Sequence, residues 1–107
     1  MSDIRALYQR AFDAFVRENY EAAVRDYLAL IEVDPSFVLA YQGLAEVYSR
    51  QDQLDLAIET IGKAIELEPQ ESLYHTSLSR FLQRQGKIPE AEVAAAEAAK
   101  IQAQSGT

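Results

Sequence analysis

Ala29-Leu30-Ile31-Glu32-Val33-Asp34-Pro35 and Lys63-Ala64-Ile65-Glu66-Leu67-Glu68-Pro69 decide the reading of this chain. Each alternates apolar and acidic residues before stopping at proline, and the two prolines stand 34 residues apart. The same shift aligns Ala23 with Ala57 and Ala91, Ala11 with Ala45 and Ser79, Leu7 with Tyr41 and His75, and Tyr20 with Leu54 and Ile88. Four columns that keep their character through three copies mark an internal repeat, with units of about 4–37, 38–71 and 72–105. Together they make one domain over residues 1–107, in keeping with the chain's length.

Each unit divides into two helical stretches, because its apolar residues recur at i, i+3, i+4 and i+7. In unit two, Tyr41, Leu44, Ala45 and Tyr48 share one face, and Ala57, Ile58, Ile61, Ala64 and Ile65 share the next. Breakers lie between the stretches at Glu18-Asn19, Gln51-Asp52-Gln53 and Gln85-Gly86-Lys87. Asn19 and Gly86 tolerate the left-handed backbone that ends helices. Pro89 suits the first turn of the last helix, where its missing N–H costs nothing. The spacing therefore predicts an all-α chain of six helices, over about 3–17, 20–33, 37–50, 54–67, 71–84 and 88–103. The alanine columns let neighbouring helices approach near the short end of the roughly 8–10 Å packing range. A single hairpin cannot bury its own apolar face, so the units stack.

Composition narrows the function. The hydrophobic fraction of 49% is that of a folded soluble protein, and no apolar run approaches the roughly 18 residues of a membrane span. The opening residues place no basic stretch before an apolar core, so no secretory signal is read and a cytoplasmic location is expected. With no cysteine, disulfides and thiolate metal sites are out of reach, and His75 alone cannot build a histidine-rich site. A net charge of −7 argues against nucleic acid and against anionic membrane surfaces as partners.

A 34-residue helix-turn-helix unit with these columns resembles the tetratricopeptide repeat family. That pattern asks for an aromatic, Leu, a small residue and an aromatic on the first helix, and unit two supplies Tyr41, Leu44, Ala45 and Tyr48. On the second helix it asks for a small residue, an aromatic, another small residue and then Pro, where unit two has Ala57, Ile61, Ala64 and Pro69. Unit one follows with Leu7, Ala11, Ala23, Tyr27 and Pro35, departing at Arg10 in the Leu column and Leu30 in the second small column. Unit three gives His75, Leu78, Ser79, Leu82, Ala91 and Ala98, departing at Ala95 in the aromatic column and Ala103 in place of proline. The resemblance runs from about Ile4 to Ala103 and implies a right-handed α-solenoid of six antiparallel helices. It implies a protein-interaction scaffold or adaptor rather than an enzyme, and leaves the partner open because the fold hosts many.

Both ends depart from the regular middle unit. The last helix replaces bulky residues with Ala91, Ala94, Ala95, Ala96, Ala98 and Ala99. An Ala-rich helix has high intrinsic propensity and exposes little apolar area, so it reads as a built-in cap. The rivals are a fragment of a longer chain, or a face awaiting a partner. The first helix is apolar nearly all round, through Ile4, Leu7, Tyr8, Ala11, Phe12, Ala14, Phe15 and Val16. A terminal helix with one neighbour needs only a single stripe. The excess implies self-association or a ligand surface, unless Phe12 or Phe15 packs under the third helix.

In the family, first helices line a concave face and second helices the convex back. The second helices with their proline turns carry eleven acids against Arg25, Lys63 and Lys100, so the whole net negative charge falls on the back. The first helices and remaining turns carry seven bases against six acids. Family geometry then points Arg5, Tyr8, Phe12 and Phe15 of unit one into the groove. Unit two adds Leu39, Gln42, Glu46 and Ser49, with Arg50 at the edge. Unit three adds Leu73, Thr76, Arg80 and Gln83, with Arg84 at the edge. The groove thus has an aromatic end and an Arg-bearing end, complementary to a protein or peptide with apolar anchors followed by acidic groups. Alternatively, Arg80 and Arg84 are an ordinary solvated i,i+4 pair. The carboxylate clamp of chaperone-tail-binding members asks for Lys, Asn, Asn, Lys and Arg where this chain has Tyr8, Phe12, Gly43, Leu73 and Ser77, so that mode is not expected.

Catalytic chemistry finds no footing. His75 stands in a helix-packing column, with Ser72 and Ser79 on its helix face but no acid to orient it. The acid pairs Glu66-Glu68 and Glu90-Glu92 read as solvated surface. The four glycines are isolated, so there is no phosphate loop, and neither cofactor nor metal is expected. Gly43 lies inside a first helix, where it costs about 1 kcal/mol relative to Ala. A close backbone approach from a neighbouring helix or from a ligand would explain it.

Overall fold

The computed structural model describes residues 3–106. Met1, Ser2 and Thr107, which the single-domain expectation includes, lie outside the described residues. The chain folds into α1 (Ile4–Val16), α2 (Tyr20–Val33), α3 (Val38–Arg50), α4 (Leu54–Leu67), α5 (Ser72–Arg84) and α6 (Ile88–Ser105). Each helix packs against its predecessor, α1 also reaches α3, and the whole is an all-α solenoid of 41 × 31 × 20 Å.

Local chemistry sets the boundaries. Asp3 caps α1 by accepting from the Arg5 N–H, and Asn19 caps α2 by accepting from the Ala22 N–H. Pro89 sits in the first turn of α6. Left-handed backbone falls at Glu18 (φ 61°), Asp52 (φ 61°) and Gly86 (φ 79°), one slot repeated every 34 residues. This corrects the expectation for Asn19. Its short side chain caps the following helix, and the residue before it takes the left-handed turn.

The repeated alanines do what their size permits. Ala11, Ala23, Ala45, Ala57 and Ala91 are all fully buried. Leu30, which departs from the small column, is also fully buried and shares a cluster with Ala40. One repeat later, the corresponding residues Ala64 and Tyr74 share the next cluster. The large partner moves from the second helix of one unit to the first helix of the next, so the space stays filled.

A polar latch recurs with the repeat. The Tyr41 hydroxyl donates to the Pro35 carbonyl at 2.7 Å, and His75 Nε2 lies 2.9 Å from the Pro69 carbonyl. Tyr41 and His75 occupy one column, and each ties the start of a first helix to the proline turn before it. His75 is buried, as expected, and its bond to a backbone carbonyl gives it a structural employment. Ser79 is not bonded to it; its hydroxyl donates to the Ala91 carbonyl at 2.8 Å and ties α5 to α6.

Candidate functional site

The helices α1, α3 and α5 stand side by side, and the residues expected in the groove fall into two groups. At the first-unit end, Tyr8, Phe12 and Phe15 from α1 meet Gln42, Gly43 and Glu46 from α3 around a cavity of about 140 Å³. Tyr27, reaching through from α2, completes its lining. Tyr8 stacks on Phe12 at 6.4 Å between centroids, and meets Tyr27 and Phe37 edge-on at 6.2 and 5.7 Å. The Phe15 ring packs beside Tyr20, and the Arg50 guanidinium lies 5.2 Å from its centroid. Most of the apolar excess on α1 is therefore used in packing. Phe12 and Val16 remain 43% and 62% exposed, which leaves Phe12 as the exposed ring of the cavity.

Gly43 makes room for Tyr27 in the lining of this cavity. A Cβ placed on it would stand 2.4 Å from Tyr27 Cζ and 2.5 Å from its hydroxyl oxygen. The close approach anticipated at Gly43 comes from a side chain, not a backbone, because Tyr27 is long enough to cross from α2 under α3. Burial, with the charge of Tyr8 second, pushes the Tyr27 hydroxyl well above the usual tyrosine range.

At the other end, the arginines are already engaged. Arg80 reaches Glu46 with Nη2–Oε1 at 2.6 Å and Nη1–Oε2 at 3.4 Å. Arg84 donates to the Ser49 carbonyl at 3.1 Å, to the Ser49 hydroxyl, and to Asp52 Oδ1 at 3.1 Å. Both arginines thus cross to residues of the preceding unit and are not an uncompensated patch, though their side chains stay 49% and 42% exposed. Stacking at a 34-residue spacing sets each opposite a polar residue of the preceding unit. Ser49, expected to face the groove, is buried beneath Arg84. Leu39 and Leu73 are 40% and 48% exposed, and Arg5 is exposed at the start of α1, none of them lining the aromatic cavity.

Two features escaped the sequence reading. Asp26 on α2 is buried, with its carboxylate 3.3 Å from Arg10 Nε and 3.3 Å from Arg25 Nε. Arg10 is the residue that breaks the Leu column, and a buried acid gives its charge a partner. That signal was present in the sequence, but its partner lies across the hairpin. The second is a larger concavity of about 480 Å³ away from the groove, between the α3–α4 and α5–α6 turns. Asp52, Asp55 and Gln85 line it; Arg84 engages Asp52 and Gln85 Nε2 donates to Asp55 at 2.5 Å, while Gln85 Oε1 is buried with no hydrogen-bond partner among the described residues. Among the described residues no group of three or more acids and histidines is placed to hold a metal, and no helix is long and apolar enough to cross a membrane.

Paired helices stacked around a groove define a helical-repeat scaffold of the protein-binding kind. A sequence profile described as tetratricopeptide repeat matches residues 14–81, and the chain belongs to that family. Protein STIP1 homolog of Dictyostelium discoideum is 33% identical over 75 residues, which cover 70% of this chain and 13% of that protein. The chain therefore spans a small part of that relative's length. Among solved structures, MamA superposes with a TM-score of 0.94 at 22% identity, over 97% of this chain and 61% of that one, a likeness of fold. The Yersinia enterocolitica type III secretion translocator chaperone SycD superposes with a TM-score of 0.92 at 26% identity, over 96% of this chain and 79% of that one. SycD in complex with a peptide of the translocator YopD gives 0.90 at 25%, over 94% and 78%.

Proposed function

We propose that this chain is an adaptor that holds a peptide or protein segment against α1, α3 and α5. The observation that carries the reading is the ring-lined cavity between α1 and α3, open to solvent at Phe12. One exposed ring beside half-buried ones around a preformed concavity suits an anchor residue of a partner. The likeness to SycD, solved with a bound peptide, supports the same use here. The partner carries apolar anchors and acidic groups, and binding proceeds without the carboxylate clamp, whose positions hold Tyr8, Phe12, Gly43, Leu73 and Ser77. The role is binding rather than catalysis, and it needs no cofactor.

The test is affinity capture from native lysate, read by mass spectrometry, with wild type beside Phe12→Ala and Arg80→Glu. A partner lost from either variant while its helical melt stays intact supports the reading. Equal capture by wild type and both variants overturns it. A second use, self-association, draws on the exposure of Phe12 and Val16 on one terminal helix. Light scattering across a concentration series distinguishes it, since a monomer at high concentration rules it out.

A further inference from the structure

We infer that the α1–α3 cavity receives one tyrosine side chain of an acidic segment, with the segment's carboxylate on Arg50. This rests on the groove being the binding face and names what it takes. The size comes first. A cavity of about 140 Å³ is close to the roughly 150 Å³ that accommodates a benzene ring in an engineered core. It is walled by the rings of Tyr8, Phe12, Phe15 and Tyr27, which favour edge-on and offset contact with a further ring.

The polar end comes second. Tyr27 is almost wholly buried, yet its hydroxyl makes no hydrogen bond among the described residues and is not sealed from solvent, so water in the cavity is what it meets. That hydroxyl stands beside Gly43, and both residues line the cavity. A phenol entering between Phe12 and Gln42 displaces that water and brings a hydroxyl in its place, whereas an aliphatic anchor or a plain phenyl ring shuts the Tyr27 hydroxyl off without replacing it.

The charge comes third. Of the arginines expected to meet acidic groups, Arg80 is held by Glu46 and Arg84 by Asp52. Arg50 has no acidic partner among the described residues, and its guanidinium is steadied over Phe15, a wall of the cavity. A carboxylate one or two residues from the anchoring tyrosine reaches it, in the bidentate geometry that arginine favours.

The test is an amide NMR titration of the full chain with a short synthetic peptide of glycine, serine and aspartate carrying one central tyrosine. Saturable shifts centred on the Gly43 amide are expected. Affinity should fall about tenfold or more when leucine replaces the tyrosine, the loss of one anchor. Phe12→Ala and Arg50→Glu should each weaken binding to a similar degree, and Tyr27→Phe, which keeps the ring, should erase the preference for tyrosine over phenylalanine. The proposal is overturned if the leucine or phenylalanine peptide binds wild type as well as the tyrosine peptide. It is equally overturned if Gly43 stays unmoved up to millimolar peptide, or if Arg50→Glu binds unchanged. Should lysate capture still depend on Phe12 while the tyrosine peptide is ignored, the groove reading stands and this inference falls. If both are insensitive, both fall.

Discussion

Arg80 on α5 and Glu46 on α3, 34 residues apart, close a two-point ion pair, with Nη2–Oε1 at 2.6 Å. One repeat's spacing separates them, so the pair ties equivalent positions of adjacent units across the groove. Its partners are 49% and 21% exposed, which keeps its contribution small. A double-mutant cycle of Arg80→Ala and Glu46→Ala should read a coupling of about 0.5–1 kcal/mol in urea melts. High salt should shrink it. A coupling of zero at low salt would show that the pair adds nothing to stability.

Gly43 and Tyr27 are matched. Alanine at 43 gains about 1 kcal/mol of helix propensity, but its Cβ would stand 2.4 Å from Tyr27 Cζ. Overpacking of that kind costs about 1–3 kcal/mol, so Gly43→Ala should destabilise the chain. In a Tyr27→Ala background the obstacle is gone, and the same substitution should become stabilising. The sign reversal, read from chemical denaturation of the four proteins, is the decisive quantity; additive effects contradict the contact.

Glu18 holds a left-handed backbone with φ 61°, in the slot that Gly86 fills in the last unit. A side chain in that conformation costs about 1–2 kcal/mol, offset in part by the extra unfolded-state freedom of glycine. Glu18→Gly should therefore raise stability by about 0.5–1 kcal/mol, seen as a higher melting temperature. The same change at Asp52 should gain less, because it also removes the Arg84 partner.

Two tyrosines make the fold sensitive to alkali. Burial first, and then Tyr8, raises Tyr27; burial first, and then Glu68, Glu71 and Tyr8, raises Tyr74. Both side chains ionise near 10 when unfolded. The folded state keeps their protons to higher pH, so the stability they supply is complete below pH 10 and is lost as pH rises beyond it. Denaturation midpoints measured at pH 8, 10 and 11 should fall over the last step. Tyr27→Phe should flatten that fall, and an unchanged alkaline slope would count against the burial of its hydroxyl.

Much of this molecule was readable along the chain. The helices begin and end close to where the breakers at Glu18-Asn19, Gln51-Asp52-Gln53 and Gln85-Gly86-Lys87 place them, because caps, turns and apolar spacing act over a few residues. The grouping of Tyr8, Phe12 and Phe15 was readable too, since i, i+4 and i+7 share a helix face. The partners of Arg10 and Arg80 were not. Asp26 and Glu46 reach them only through the packing of one helix on another, and no local rule fixes which polar residues face each other there.

The sequence alone determined the repeat, the six helices and their small-residue contacts, because a 34-residue period and the helical period are properties of residue order. Only the tertiary structure decided that Tyr27 passes beneath Gly43 to floor a cavity, and that Arg80 and Arg84 meet acids while Arg50 has no acidic partner among the described residues. Those outcomes depend on how far one unit is rotated and shifted on the last, a geometry set by the summed packing of buried side chains.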